Sequence, residues 1–294
     1  MAGACDPCSH FAPGLNHVLL DCFGEGNVAD TAMSGAGSTG GDDPLQRAIW
    51  RLRSRGCWTD AAALLTPHVG KAGQAAAAVQ RTALLVERCL FTGQGWAEAE
   101  DALRVAEAVA QDDDDRGAAA CERGQLAYAA TVLGVRDRAD EARSALGRAA
   151  ALLSPGSRTR PLLDFRRGLV AEHLADAPQS ARPAYHRAHA GAEAHGDTLL
   201  LSFTWRHLAA LALRDGEVAE ARKGFAESLR IREDLGFLIG TAPALAALAE
   251  AEPEPEAARL RAEARRLFHL LGGIPTWLAD QLHPAPSPAP SPAA

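Results

Sequence analysis

From residue 43 to about residue 283, apolar residues recur at spacings of three and four, and no run of Val, Ile and Thr alternates at a period of two. That periodicity places apolar side chains on one face of successive α-helices and leaves little room for strands. Short turn signals interrupt it: Arg55-Gly56, Thr92 to Gly95, Asp112 to Gly117, Gly134 to Asp137, Ser154 to Gly156, Asp176 to Pro178, Asp215-Gly216 and Gly272-Gly273. The pattern predicts a string of helices of about 12–18 residues joined by short turns. Aromatic residues make up 5% of the chain. A core built chiefly from Ala and Leu favours helices that approach closely.

The segment 205–233 carries a finer pattern. Trp205 is followed by Leu208-Ala209 and Ala212, then the Asp215-Gly216 turn, then Ala221, Phe225 and Ser228. Small residues at Ala209 and Ala221 would let the two helices of a hairpin approach, with Trp205 and Phe225 filling the volume beside them. The second-helix signature recurs, headed by Ala62, Ala99, Ala142, Ala181, Ala221 and Ala258. Successive anchors are 37, 43, 39, 40 and 37 residues apart. A bulky residue lies four positions later at Leu103, Leu146, Tyr185 and Phe225.

This arrangement resembles the tetratricopeptide repeat. It departs from the pattern at Ala209, where the family has Gly, at Ala212, where it has Tyr, and at Glu233, where it has Pro. The run Ala264-Arg265-Arg266-Leu267-Phe268, Leu271-Gly272-Gly273, Trp277-Leu278-Ala279 is also similar to the end of helical repeat regions in actinobacterial LuxR-type regulators. The resemblance spans about 240 residues as architecture and 203–233 as a specific motif. It implies an all-α, right-handed solenoid of five to six antiparallel helical hairpins with a concave groove. Ile274 to Leu282, with Pro275 at its start, would form a C-terminal capping helix.

The flanks differ. Residues 1–42 are rich in Gly, Ser and Asp and read as a disordered leader; Met33 is an alternative start. Residues 284–294 carry Pro at every second position to 292 and read as a disordered tail. A net charge of −7 and a pI near 5.8 argue against a general nucleic-acid binder. Mean hydropathy is −0.11 and no apolar stretch approaches 18 residues, which argues against a membrane span. The start lacks the basic region of a signal peptide, and six cysteines are too few for a disulfide scaffold, so a cytoplasmic location is expected. All but two of the 30 basic residues are Arg, which together with abundant Ala points to a GC-rich bacterial coding sequence.

Candidate chemistry is sparse. Gly35 to Gly40 spells G-x-G-x-x-G but follows no strand, so it reads as linker. Cys5, Cys8, His10, His17 and Cys22 contain enough ligands for zinc, but of the two spaced pairs a tetrahedral site wants only Cys5-x-x-Cys8 is present. Cys57, Cys89 and Cys121 read as small apolar helix residues. Asp112 to Asp115 is followed by Arg116 rather than the aspartate of a magnesium–diphosphate motif, and suits a turn before a helix N-terminus. His186, His189 and Glu193 share a helix face, with His186 expected to face out and His189 to pack on the next hairpin. No catalytic residue, metal or cofactor is expected.

What remains is a surface. The resemblance implies that first-helix positions line the groove, here Arg81, Arg88 and Phe91, Tyr128 and Thr131, Arg166, Arg167 and His173, and Phe203, Arg206 and His207. Guanidinium forks pair well with carboxylates. The expectation is therefore a non-enzymatic scaffold that binds another protein or peptide, acidic in character, in an Arg-containing groove. Two further readings stand beside it: a regulatory or sensor module acting with a separate transcription factor, and an all-α enzyme.

Overall fold

The computed structural model describes residues 43–69 and 74–273, together with 275, 278 and 282. The proposed leader, the G-x-G-x-x-G run, the Cys5–Cys22 cluster, Met33 and the proline tail lie outside the described residues. Among the described residues there are twelve α-helices, no strand, and no helix long and apolar enough to cross a membrane. In order they are α1 (Pro44–Arg53), α2 (Trp58–Leu65), α3 (Ala75–Thr92), α4 (Trp96–Val109), α5 (Asp113–Val132), α6 (Ala139–Leu152), α7 (Arg160–His173), α8 (Pro178–His195), α9 (Thr198–Arg214), α10 (Val218–Asp234), α11 (Leu238–Ala251) and α12 (Glu256–Leu270).

Local chemistry sets the helix boundaries. Asp43 accepts a hydrogen bond from the Leu45 amide, and Pro44 occupies the first turn of α1. Asp112 caps α5 through the Asp115 amide, and Asp113 to Asp115 fill its first turn, where the helix dipole favours negative charge. Asp114 also accepts from the Ser154 amide and hydroxyl. The aspartate run is thus a helix start. Gly93 and Gly196 end α3 and α8 in the left-handed conformation. Two further turns, around Gly196 and Gly236, stand beside those marked in the sequence, each with its glycine at positive φ.

Helices pack in consecutive pairs, α1 with α2, α3 with α4, and so on to α11 with α12. The first members of pairs also meet one another, α3 with α5, α5 with α7 and α9 with α11. The anchors Ala99, Ala142, Ala181 and Ala221 are buried, as are Leu103, Leu146, Tyr185 and Phe225 four residues later. At the last position the anchor shifts by one: Ala257 is buried and Ala258 exposed. The close approach of α9 and α10 falls between Ala209 and Gly224, where a Cβ on the glycine would sit 2.8 Å from that of Ala209.

One hydrophobic cluster runs from Ile49 to Leu282 and includes Leu278. It closes on itself. Rings step from Phe165 to Phe203 (6.2 Å), from Phe203 to Phe237 (6.2 Å) and from Phe237 to Trp50 (5.6 Å). The Ile239 amide donates to the Ser54 carbonyl at 2.8 Å, and the Trp50 indole donates to the Leu235 carbonyl. The first pair of helices therefore packs on the connection between α10 and α11, some 185 residues away in sequence. The first-helix faces turn toward one another and are covered.

Candidate functional site

The consequence for the expected groove is direct. Of the residues assigned to it, Phe91, Tyr128, Arg166, Phe203, Arg206 and His207 are buried, and Arg81, Arg88 and Thr131 are half-buried. Arg167 is exposed. Phe91 packs on Trp58 with ring centroids 5.1 Å apart. Arg88 pairs with Glu98, and the Thr131 hydroxyl accepts the Arg138 amide. Most of these positions are covered by their own neighbours, Phe91 by Trp58, Tyr128 by His173 and Arg166 by Glu122.

The buried arginines have internal partners. Arg53 Nε lies 2.8 Å from a Glu87 carboxylate oxygen, linking α1 to α3. Arg166 Nη2 lies 2.9 and 3.0 Å from the two oxygens of Glu122, linking α5 to α7, while its Nη1 lies 3.2 Å from Cys121 Sγ. Arg232 donates to the Gly240 carbonyl and stands 4.8 Å over the Phe203 ring. Burial still raises the pKa of Glu87 and Glu122 above the usual carboxylate value, against the pull of Arg53 and Arg166 respectively. Burial lowers that of Arg232, with Arg206 adding to the effect. These contacts link the inner faces of neighbouring pairs.

A second buried polar cluster spans α7, α8 and α9. Glu172 and His173 close α7, and His207 sits mid-way along α9. His207 Nδ1 lies 3.4 Å and His173 Nε2 3.7 Å from Glu172 Oε2. The Tyr185 hydroxyl donates to the same oxygen at 2.5 Å, and the Tyr128 hydroxyl lies 2.6 Å from His173 Nδ1. Arg214, at the end of α9, pairs with the other Glu172 oxygen. One donor atom each from Glu172, His173 and His207 fall within 4.8 Å of one another. Sequence reasoning had both histidines on an inner face but joined neither to Glu172. The signal was spacing: His173 and His207 are 34 residues apart, one repeat of the family pattern.

The outer surface carries a depression of about 230 Å³ between α8, α9 and α10. Trp205, Leu208 and Gly224 form part of its lining, with Arg182, His186, His189, Glu217 and Glu220. His186 is exposed and His189 packs edge-on against Trp205 at 5.0 Å, as the helical spacing implies. His189 Nδ1 lies 2.8 Å from the Thr204 hydroxyl, and burial lowers its pKa below 6.5 despite nearby Glu193. Cys89 and Cys121 are buried and Cys57 half-buried; burial pushes the Cys89 thiol up to about 12, so it behaves as an apolar residue.

The chain matches no family model and no curated protein.

Proposed function

We propose that the chain is a TPR-like, right-handed repeat of five to six helical hairpins that serves as a non-enzymatic scaffold for another protein or peptide. The binding surface in this reading is the outer depression around Trp205. The observation that carries it is a half-buried indole beside an apolar floor, rimmed by the exposed carboxylates Glu217 and Glu220, in an open hollow of side-chain size. Aromatic anchors in pockets of this kind supply much of the affinity at protein interfaces. The expectation of an acidic ligand rests on inner-face arginines, of which Arg88 and Arg166 pair with Glu98 and Glu122, so the ligand is placed at the outer depression instead. The depression offers two exposed carboxylates, Glu217 and Glu220, while Arg182 pairs with Asp215, which suits a segment carrying a basic residue.

The test is affinity capture of partners on the full chain, with the retained proteins identified by mass spectrometry. Glu217→Lys/Glu220→Lys alters exposed rim residues, and Arg167→Glu serves as a control on the inner helix set. A partner lost with the rim variant and kept by the control supports the assignment. A partner kept equally by both places the binding surface elsewhere.

A further inference from the structure

The cluster at the end of α7 has the composition of a metal site, and nothing in the scaffold reading uses it. We propose that Glu172, His173 and His207 bind a divalent first-row transition ion of the zinc type. Two imidazoles and one carboxylate are a donor set such ions favour, with a fourth position left for water or an exchangeable ligand.

The geometry suits the set. Zinc bonds of about 2.0–2.2 Å in a tetrahedron place neighbouring donor atoms roughly 3.3–3.6 Å apart. The two histidine nitrogens lie 3.4 and 3.7 Å from Glu172 Oε2. All three donor atoms fall within 4.8 Å of one another, and the Tyr185 hydroxyl, which donates to Glu172 Oε2 at 2.5 Å, holds that oxygen between the two histidines. The supporting contacts also match. Tyr128 engages Nδ1 of His173, which turns Nε2 toward the carboxylate; partners of this kind fix the tautomer and aim of a ligating ring. All three side chains are almost fully buried, at 0% exposure for Glu172 and His207 and 2% for His173, so water competes weakly for the ion.

Arg214 supplies the way in. Its guanidinium pairs with Glu172 yet is 46% exposed, whereas the carboxylate beneath it is fully covered. A long side chain at a helix end moves aside readily, and its positive charge opposes a cation in the site. Arg214 therefore competes with the metal for Glu172, and removing its charge strengthens metal binding. This inference stands apart from the scaffold reading, because it concerns a buried cluster away from the Trp205 rim.

The experiment is equilibrium dialysis of the full chain against zinc ions, with bound metal counted by mass spectrometry. A Cys5→Ser/Cys8→Ser background removes the upstream thiol pair. The expected result is one zinc per chain, lost in His207→Asn and in Glu172→Gln, and bound more tightly in Arg214→Met. Tyr128→Phe preserves shape and weakens binding by roughly 10-fold to 100-fold, the usual effect of losing a partner that orients a ligand. That milder variant keeps the test decisive where the ligand variants fail to fold. Zinc bound equally by wild type and Tyr128→Phe, or no zinc at tens of micromolar metal, overturns the proposal.

Discussion

Replacing Arg166 with Met tests whether the inner-face arginines are structural. The side chains of Arg166 and Glu122 are 3% and 2% exposed, and one guanidinium nitrogen reaches both carboxylate oxygens. Removing the cation leaves Glu122 charged in the interior, and an uncompensated buried charge costs about 3–5 kcal/mol. An exposed pair would cost under about 1 kcal/mol. For a chain of this size the loss corresponds to a melting shift on the order of 10 °C. The loss depends on pH with a definite sign. Burial raises the folded-state pKa of Glu122, so its contribution to stability is present below the unfolded value of 4.5 and is lost as pH rises through the folded value. Arg166 opposes that rise, so without it the folded pKa climbs further and the pH range of instability widens. Denaturant unfolding followed by circular dichroism should therefore show a larger deficit at pH 8 than at pH 5. Arg166→Met/Glu122→Leu, which removes both charges, should recover more than half of the loss. A deficit under about 1 kcal/mol at pH 8 with no pH dependence would refute the reasoning.

Further outcomes follow from particular contacts. Gly224→Ala places a Cβ 2.8 Å from Ala209 and 3.3 Å from the Trp205 carbonyl, so overpacking of about 1–3 kcal/mol exceeds the helix-propensity gain. Gly147→Ala, in α6 with nothing within 4 Å, should instead stabilise by about 0.5–1 kcal/mol, and thermal melts of the two variants separate the cases. His189 has its pKa lowered below 6.5 chiefly by burial, with His186 acting in the same direction and Glu193 against it. Its contribution to stability is present above pH 6.5 and lost as pH falls through the folded value. His189→Gln should accordingly melt with a flatter profile between pH 7.5 and 5.5 than wild type, and an equally steep profile would count against the assignment.

How far the fold can be read from residues alone depends on the range of the interaction concerned. Helix class follows from local periodicity, and the buried set Ala99/Leu103, Ala142/Leu146, Ala181/Tyr185 and Ala221/Phe225 follows from the repeat spacing. The shift from Ala258 to Ala257 does not, because two adjacent alanines offer no local reason to choose between them. Closure of the first pair onto residues 235–239 is a long-range packing event, marked in sequence by little more than the aromatic residues Trp50 and Phe237. Arg166 reads as a groove residue because its carboxylate partner, Glu122, lies a repeat away in sequence. A cue did exist in the charges. Arg53 and Glu87 are 34 residues apart, as are Gln46 and Gln80, which hydrogen-bond to each other, and Glu122 lies 44 residues before Arg166. Complementary polar residues about one repeat apart on first helices mark pairing between neighbours before they mark a ligand site. The Glu172, His173 and His207 cluster obeys the same spacing.

Packing of α1 on residues 235–239 is the long-range contact that joins the first helix to α11, and the amide of Ile239 reports it. Ile239 is the second residue of α11, where helical amides have no intrahelical acceptor, and its partner is the Ser54 carbonyl at 2.8 Å. Hydrogen exchange at that amide, measured by NMR, should be slowed by about three orders of magnitude or more, an opening free energy of roughly 4 kcal/mol. Trp50→Ala, which removes the stacking on Phe237 and the bond to Leu235, should release it. Exchange within about tenfold of the unstructured rate in wild type would contradict that packing.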